Sequence, residues 1–279
     1  MRLLAALALT LSASRALAVI TCTTTVTAVT VVYDPTSATA NVTTGSYTIS
    51  CTRALGDPST FAWQLGVNDG VNAGAGTNRV QRSPGQRYSY DTYRTSPYVA
   101  GNLWGDTAAT RFTGTLSFGA ALTASTSAPF DIVLAGSQTA QPAGTYTDTV
   151  TATLRNGAGT AIGTTAFTVT VLTTNTCQLS VPPGNVNFNY TSFQASAASA
   201  STSLGVRCTT ALPYTMALDA TSGTLLGLAY SLSLSSASGT GTGATQTYNI
   251  NGSIAASQSG SCGSGTCTAS QTRTLTLTW

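Results

Sequence analysis

The sequence predicts an all-β protein that consists of two β-sandwiches in tandem, the second of which lacks its final strand. Three observations lead to this fold class. Two cysteine pairs have nearly the same spacing, apolar residues alternate with polar ones around each pair, and each half ends in a threonine-rich segment. Only in the first half does a further alternating segment follow, so the two sandwiches are expected to differ.

The internal repeat begins at the cysteines. Cys22 and Cys51 are 29 residues apart, and Cys177 and Cys208 are 31 apart. The segments before the second cysteine of each pair alternate with period two, which is the period of a half-buried strand. The segments after the following proline turn alternate in the same way. The alternating apolar residues are Tyr47, Ile49, Phe61, Trp63 and Leu65 in the first half and Leu204, Val206, Tyr214, Met216 and Leu218 in the second.

The two halves differ at their ends. In the first half the segment 145–154 (TYTDTVTATL) is followed by a Gly-rich turn and the alternating segment 167–172 (FTVTVL). The second half reaches the corresponding segment 272–279 (TRTLTLTW) with no further strand after it. Sheets with such open edges bind another strand, so we expect another chain to complete the second sandwich. Alternatively, 167–172 is only a linker strand and the second sandwich is closed in some other way.

Residues 1–18 have the pattern of a secretory signal peptide. Arg2 supplies the charge, 3–11 form a short apolar run, and 16–18 (ALA) match an A-x-A cleavage site. We therefore expect export and a mature chain that starts at Val19. The expected domains are 19–173 and 177–279, joined by a short linker.

Six cysteines in an exported chain predict three disulfides. Their spacing favours the pairs Cys22–Cys51, Cys177–Cys208 and Cys262–Cys267. A metal site is disfavoured because the chain has no histidine and its cysteine spacings do not form two CxxC knuckles.

The charged residues are few and of two kinds only. All 11 basic residues are arginine and all 8 acidic residues are aspartate, and removal of Arg2 and Arg15 with the signal leaves 9 − 8 = +1. Such a chain has no basic stripe for nucleic acid. Without His, Lys or Glu it also lacks the usual general bases, so we expect no enzyme and no cofactor. The alternative is a glycosidase that uses a pair of aspartates, and the candidates for that pair lie in turn-like settings: Asp57, Asp69, Asp91 and Asp106.

Several short motifs and their order along the chain resemble those of the spore coat protein U domain, the subunit type of archaic chaperone–usher pili. The first half carries the early cysteine pair, VYDP at 32–35, RV at 79–80, YSY at 88–90, WGD at 104–106 and AGTYTDTV at 143–150. The second half keeps the cysteines, PP at 182–183, VNFNY at 186–190 and the Tyr230 segment. It lacks the WGD and GTYTD motifs, and Arg273 stands near the place of Asp148.

The resemblance implies immunoglobulin-like, pilin-type sandwiches that lack the last strand. A periplasmic chaperone lends that strand, and in the fibre the next subunit's N-terminal extension replaces it as the donor strand. Only 19–21 precede Cys22, and at about 3.3 Å per residue three residues cannot fill a groove. The resemblance therefore implies a two-domain tip adhesin that accepts a strand without donating one. The other implied partners are an outer-membrane usher and an abiotic or host surface, with the protein at the cell surface.

Two sets of site residues follow from these expectations. The strand beside the groove for the chaperone strand and the donor strand would be formed by Leu275, Leu277 and Trp279. The resemblance implies that basic residues in the chaperone's cleft bind the subunit at the position of Trp279. The alternative role of Trp279 is core packing. Aromatic and aliphatic residues in the long loops of the first domain suit adhesion to apolar or sugar surfaces, and core or turn packing is the alternative for each of them. These expected adhesion residues are Tyr98, Leu103, Trp104, Phe118, Leu122 and Phe130.

The family's name also suggests a structural spore-coat or extracellular matrix protein as an alternative. A polymerising coat or shaft protein of this type needs both a groove and a donor strand.

Overall fold

The computed structural model describes residues 20–74, 78–138 and 141–279, so the predicted signal at 1–18 lies outside the described residues. Within these ranges one 3₁₀ turn, Ala100–Asn102, accompanies a structure otherwise built of β-strands. The predicted all-β class is confirmed. The strands of the first half are β1 (Thr21–Val26), β2 (Val29–Tyr33), β3 (Asn41–Thr52), β4 (Thr60–Val67), β5 (Asn78–Ser83), β6 (Gln86–Tyr93), β7 (Phe112–Ser117), β8 (Thr123–Leu134), β9 (Gly144–Asn156) and β10 (Ala161–Thr173).

Hydrogen bonds connect these strands in the order β1-β3-β8-β6-β5-β9-β10-β2, with β4 bonded to β9 and β7 bonded to β4. The last strand, β10, runs antiparallel to β9 along almost its whole length and parallel to β2. Both long edges of β10 are therefore paired. The alternating segment 167–172 is a strand that closes the first half, and the linker-strand alternative is wrong.

The core of the first half follows from the period-two pattern. Along β10, Phe167, Val169 and Val171 are buried while Thr168 faces solvent. These side chains belong to one cluster with the inward residues of the neighbouring strands β9 and β2. Because successive side chains of a strand point to opposite faces, each alternating segment contributes one apolar row to this core.

The second half has its own strands and its own apolar cluster. Two sheets form, one in the order β11-β12-β17-β15-β14 and one in the order β16-β13-β18. The strands are β11 (Cys177–Val181), β12 (Ala198–Cys208), β13 (Pro213–Leu218), β14 (Ser222–Leu225), β15 (Leu228–Leu234), β16 (Ser238–Thr240), β17 (Thr245–Ile254) and β18 (Leu275–Thr278).

The three expected disulfides are present, Cys22–Cys51, Cys177–Cys208 and Cys262–Cys267. The first two join residues that face each other across the strand pairs β1–β3 and β11–β12, with Cα atoms 4.1 Å apart in each pair. The third closes a short exposed loop between β17 and β18. Each long-range disulfide therefore pins the first strand of a half to its neighbour.

Candidate functional site

A groove without a strand lies in the second half where the first half holds β10. On one side of it is β18, which pairs with β13 through one edge and, among the described residues, with no strand through the other. On the other side is the segment 185–190, which follows β11 as β2 follows β1 but forms no strand. We call the space between β18 and 185–190 the open groove.

Side-chain burial shows the effect of the missing strand. On the two walls that flank β10, Val31, Tyr33 and Val150 are at most 1% exposed. The apolar side chains of the open groove are only half-buried, although they pack against the second core. They are Val186, Phe188 and Tyr190 on one wall and Leu275 and Leu277 on β18.

Tyr230 of β15 contacts both walls of the open groove. Its ring centroid lies 6.5 Å from that of Phe188, and its hydroxyl accepts a hydrogen bond of 2.9 Å from Nε of Arg273, which lies just before β18. The guanidinium of Arg273 also lies over the Tyr230 ring at 5.6 Å. One aromatic side chain thus forms part of the floor beneath both walls.

The predicted groove residues lie as follows. Leu275 and Leu277 alternate along β18 and contact the second core, as a groove wall requires. Trp279 is 56% exposed, which corrects the expectation that it packs into the core. The wall at 185–190 was not assigned to the groove from the sequence, although the alternation of Val186, Phe188 and Tyr190 was visible there and is the signal that identifies it.

Three of the predicted adhesion residues are in the core of the first half. Trp104, Phe118 and Phe130 are at most 4% exposed, so the expectation that they contact an external surface is wrong. The indole Nε1 of Trp104 donates to the carbonyl of Leu65 at 3.0 Å, and its ring packs 4.8 Å from Phe130. Bulky aromatic side chains contribute most when they are buried, and the loop that carries Trp104 folds back over the sheet.

The remaining predicted adhesion residues do not form one surface. Leu103 is half-buried, whereas Tyr98 and Leu122 are exposed. The hydroxyl of Tyr98 donates to Asp131 at 3.3 Å, near the end of β8, and Leu122 directly precedes the start of the same strand. Nine residues of strand separate the two positions, which corresponds to about 30 Å.

A different apolar surface lies at the pole of the first half opposite the end of β10. The loops 53–59 and 118–122 meet there, since the N–H of Arg53 donates to Leu122 and the N–H of Phe118 donates to Ser59. The loop 157–160 lies beside β4, where the Gln64 side chain donates to the carbonyl of Gly157 at 3.2 Å. Leu55 is 87% exposed, Leu122 43% and Ile162 40%. Leu55 and Ile162 were not predicted, because nothing in the local pattern distinguishes an exposed leucine from a core one.

Arg53 holds two of these loops together. Its guanidinium donates to the carbonyls of Ala121, Asp57 and Gly119 at 2.8–3.0 Å and lies 5.5 Å over the ring of Phe118. Arg53 and Asp57 are the only charged residues in the three loops, and Asp57 is buried. The pole therefore presents apolar side chains on loops with two charged residues of their own, and Arg155 of the neighbouring strand β9 donates to the carbonyl of Gly159 in the third loop at 3.2 Å.

A charge cluster fixes the long loop that carries Trp104. Asp106 accepts hydrogen bonds from Arg111 at 3.0 Å and from Arg155 of β9 at 2.7 Å. Burial raises the pKa of Asp106, but the hydrogen bonds and positive charges of Arg155 and Arg111 outweigh it and leave the pKa below its usual value. The cluster ties the loop to the sheet through one carboxylate that two guanidinium groups share.

A second carboxylate, Asp148 of β9, is buried at 1% exposure. It accepts hydrogen bonds from the Tyr90 hydroxyl at 2.8 Å and from the N–H groups of Asn72 and Thr149. Burial raises the pKa of Asp148 in spite of these bonds. The contacts with Asn72 hold the loop that follows β4 against β9, so the role of Asp148 is explained by the fold.

The model of the Spore Coat Protein U domain family matches residues 7–153 and 163–231. The chain belongs to this family. The first match ends within β9 and the second begins within β10, so the first match does not include the strand that closes the first half. A sequence search against curated proteins gave no significant match.

Two of the solved structures to which the chain is similar belong to bacterial pili. A chain of the CsuC–CsuE chaperone–tip adhesion subunit pre-assembly complex from the archaic chaperone–usher Csu pili of Acinetobacter baumannii is 14% identical, with a TM-score of 0.51 over 92% of this chain and 100% of that one. The CupB6 tip adhesin of Pseudomonas aeruginosa is 11% identical, with a TM-score of 0.38 over 86% and 88%. At such identities the Csu match establishes the fold of this spore coat U protein, which is the pilin-type fold that the sequence predicted.

Across the described ranges, no helix is long and apolar enough to cross a membrane. Over the same residues, no group of three or more His, Cys, Asp or Glu side chains is placed to hold a metal ion.

Proposed function

We propose that the protein is a non-enzymatic tip adhesin subunit of a chaperone–usher pilus. Residues 19–173 are its self-complete adhesin domain, and residues 177–279 are a pilin domain that accepts a strand. One observation carries the proposal: two walls enclose β10 in the first half, whereas no strand of the described residues lies between the corresponding walls of the second half.

The open groove defines the partners. Half-buried apolar rows beside unpaired backbone are the surface that an added β-strand covers, by main-chain hydrogen bonding and by side chains that alternate into the groove. We propose that a strand of the periplasmic chaperone occupies the groove during export. At the outer-membrane usher, the donor strand of the next pilin subunit replaces it and remains in the fibre. The Csu structure, a chaperone–tip adhesion subunit complex, supports this choice.

The adhesive surface that we propose is the pole with Leu55, Leu122 and Ile162. It lies at the opposite end of the first domain from Thr173, the residue that leads toward the pilin domain. Exposed apolar side chains on loops with few charged residues suit apolar surfaces, whether abiotic or host-derived, because little charge has to be desolvated on contact.

The first experiment tests the open groove. The full chain is co-expressed with its periplasmic chaperone, and the soluble complex is purified. We expect a one-to-one complex that Leu277→Asp abolishes, because a carboxylate at this half-buried position faces the entering strand. Thr276→Asp is the matched control, since Thr276 is its neighbour on β18 but points to solvent.

Two outcomes of this experiment contradict the proposal. Equal loss of the complex for both variants would mean that the groove is not the binding surface. A soluble monomer whose stability is the same with and without the chaperone would mean that the second domain needs no strand, and it would favour the structural coat or matrix protein.

A further inference from the structure

A four-residue hydrogen-bonded unit occurs once in each domain. In the pilin domain, the Tyr190 hydroxyl donates to the carbonyl of Ala255 at 3.0 Å and accepts from the N–H of Gln258 at 2.9 Å. The Gln258 side chain in turn pairs with the backbone of Ala229 in β15, donating to its carbonyl at 2.9 Å and accepting from its N–H at 2.7 Å. We call Tyr190, Ala229, Ala255 and Gln258 the tyrosine lock.

The adhesin domain has the same unit. The Tyr33 hydroxyl donates to Ala135 at 2.7 Å and accepts from the N–H of Gln138 at 3.2 Å, and the Gln138 side chain pairs with both backbone groups of Ser89. Each glutamine follows a serine with a φ of 62°, Ser137 in one copy and Ser257 in the other. The repeat therefore includes a turn in an unusual backbone conformation, which is rare for residues other than glycine.

The two copies of the unit hold walls that differ in their backbone hydrogen bonds to neighbouring strands. Tyr33 ends β2, which is also held by its parallel ladder with β10. Tyr190 ends the segment 185–190, and among the described residues no backbone hydrogen bond joins that segment to a strand. Within 185–190 the wall is attached by the packing of Val186 and Phe188 and by the lock. The next attachment follows the wall, where the N–H of Phe193 donates to Gln258 and the N–H of Ser257 donates to Gln194.

We propose that Tyr190 and Gln258 are positioning residues that keep the wall of the open groove in place for the incoming strand. This inference rests on the proposed strand-accepting function. When the lock already holds the wall in its bound conformation, the incoming strand does not have to order it. A larger fraction of the chains is therefore ready to bind than without the lock. The wall of the adhesin domain does not need this help, because β10 is always present.

The prediction concerns the kinetics of strand uptake. As the probe we use a synthetic peptide with the sequence of 163–173, because this strand fills the corresponding space in the adhesin domain. Its binding to the full mature chain is followed at low concentration by the fluorescence of an attached dye. Tyr190→Phe removes one donated and one accepted hydrogen bond, and we expect an association rate constant about tenfold lower.

The dissociation rate constant separates positioning from a general structural role. Once the peptide is bound, its ladder holds the wall, so we expect dissociation from Tyr190→Phe to stay within about twofold of the unchanged chain. Tyr33→Phe is the matched control, since it removes the same hydroxyl from the other copy of the unit, and it should change neither rate constant. Faster dissociation, unchanged association, or an equal effect of Tyr33→Phe would overturn the inference.

A second measurement covers the case in which Tyr190→Phe accumulates poorly. Hydrogen–deuterium exchange of the Ala229 amide, which donates to the Gln258 side chain, should be faster in Tyr190→Phe than in the unchanged chain when the peptide is absent, and equal when it is bound. Equal exchange in both states would overturn the inference. If the unchanged chain takes up no peptide and binds no chaperone, the proposed function fails first, and this inference fails with it.

Discussion

At the scale of single residues, one carboxylate of the first domain is shared by two arginines. Asp106 lies between Arg111 and Arg155, and its carboxylate is the only acid in this cluster. Its lowered pKa means that the folded chain binds a proton less readily than the unfolded chain does. The charged carboxylate therefore stabilises the fold above the unfolded pKa of 3.8, and this contribution is lost as the pH falls through the lower, folded pKa.

We expect Asp106→Asn to lower the free energy of unfolding by about 1 kcal/mol near neutral pH, a modest value because the carboxylate is partly exposed. The variant should also lose less stability than the unchanged chain between about pH 4 and about pH 2. Urea unfolding of both chains across this range measures the difference. Parallel stability curves would show that the arginine pairs do not act through the charge of Asp106.

At the scale of elements, β10 decides which domain is complete. The sequence pattern predicted this strand at 167–172, and the structure extends it to Ala161–Thr173. A β-bulge at Ile162 interrupts the register with β9 and accompanies the exposure of that side chain.

Placing a charge on the inner face of β10 tests its structural role. Val169→Asp puts a carboxylate at a position with 0% exposure, and we expect it to destabilise the adhesin domain by about 4 kcal/mol or more. Thr168→Asp, on the outer face of the same strand, should have an effect of about 0.5 kcal/mol or less. Chemical unfolding followed by tryptophan fluorescence reports both, and similar losses for the two variants would contradict the assigned face.

Strand elements were predictable to the extent that their burial is periodic. The alternation that surrounds Cys51 and Cys208 identified strands in both halves, and their cysteines form the expected bonds. The loops were not predictable in this way. Whether Trp104 is exposed depends on the contacts that its loop makes with Leu65 and β9, and these are distant in sequence. The hydroxyl of Tyr190 gave no local signal of its bond partners for the same reason.

At the scale of the whole molecule, the two domains should differ in stability. The adhesin domain carries its own last strand, whereas the pilin domain has a core whose groove side chains are half-buried. Ligands that bind only the folded state raise its stability, by about 2.7 kcal/mol at a free concentration 100 times the Kd.

Calorimetry of the full chain should therefore show two transitions. We expect that addition of the 163–173 peptide raises only the lower transition, because only the pilin domain has space for a strand. A peptide with the same composition in scrambled order is the control. A single transition, or an upward shift of both, would contradict the division into one complete and one incomplete domain.

The position of β10 has a mechanical consequence. If the pole with Leu55, Leu122 and Ile162 is attached to a surface and the fibre pulls on the pilin domain, tension enters the adhesin domain at Thr173, the end of β10. The force then acts along the strand, parallel to its ladders with β9 and β2, and it loads their hydrogen bonds together in shear instead of opening them one after another. The strand that completes the domain thermodynamically is thus also the one through which the domain would bear load.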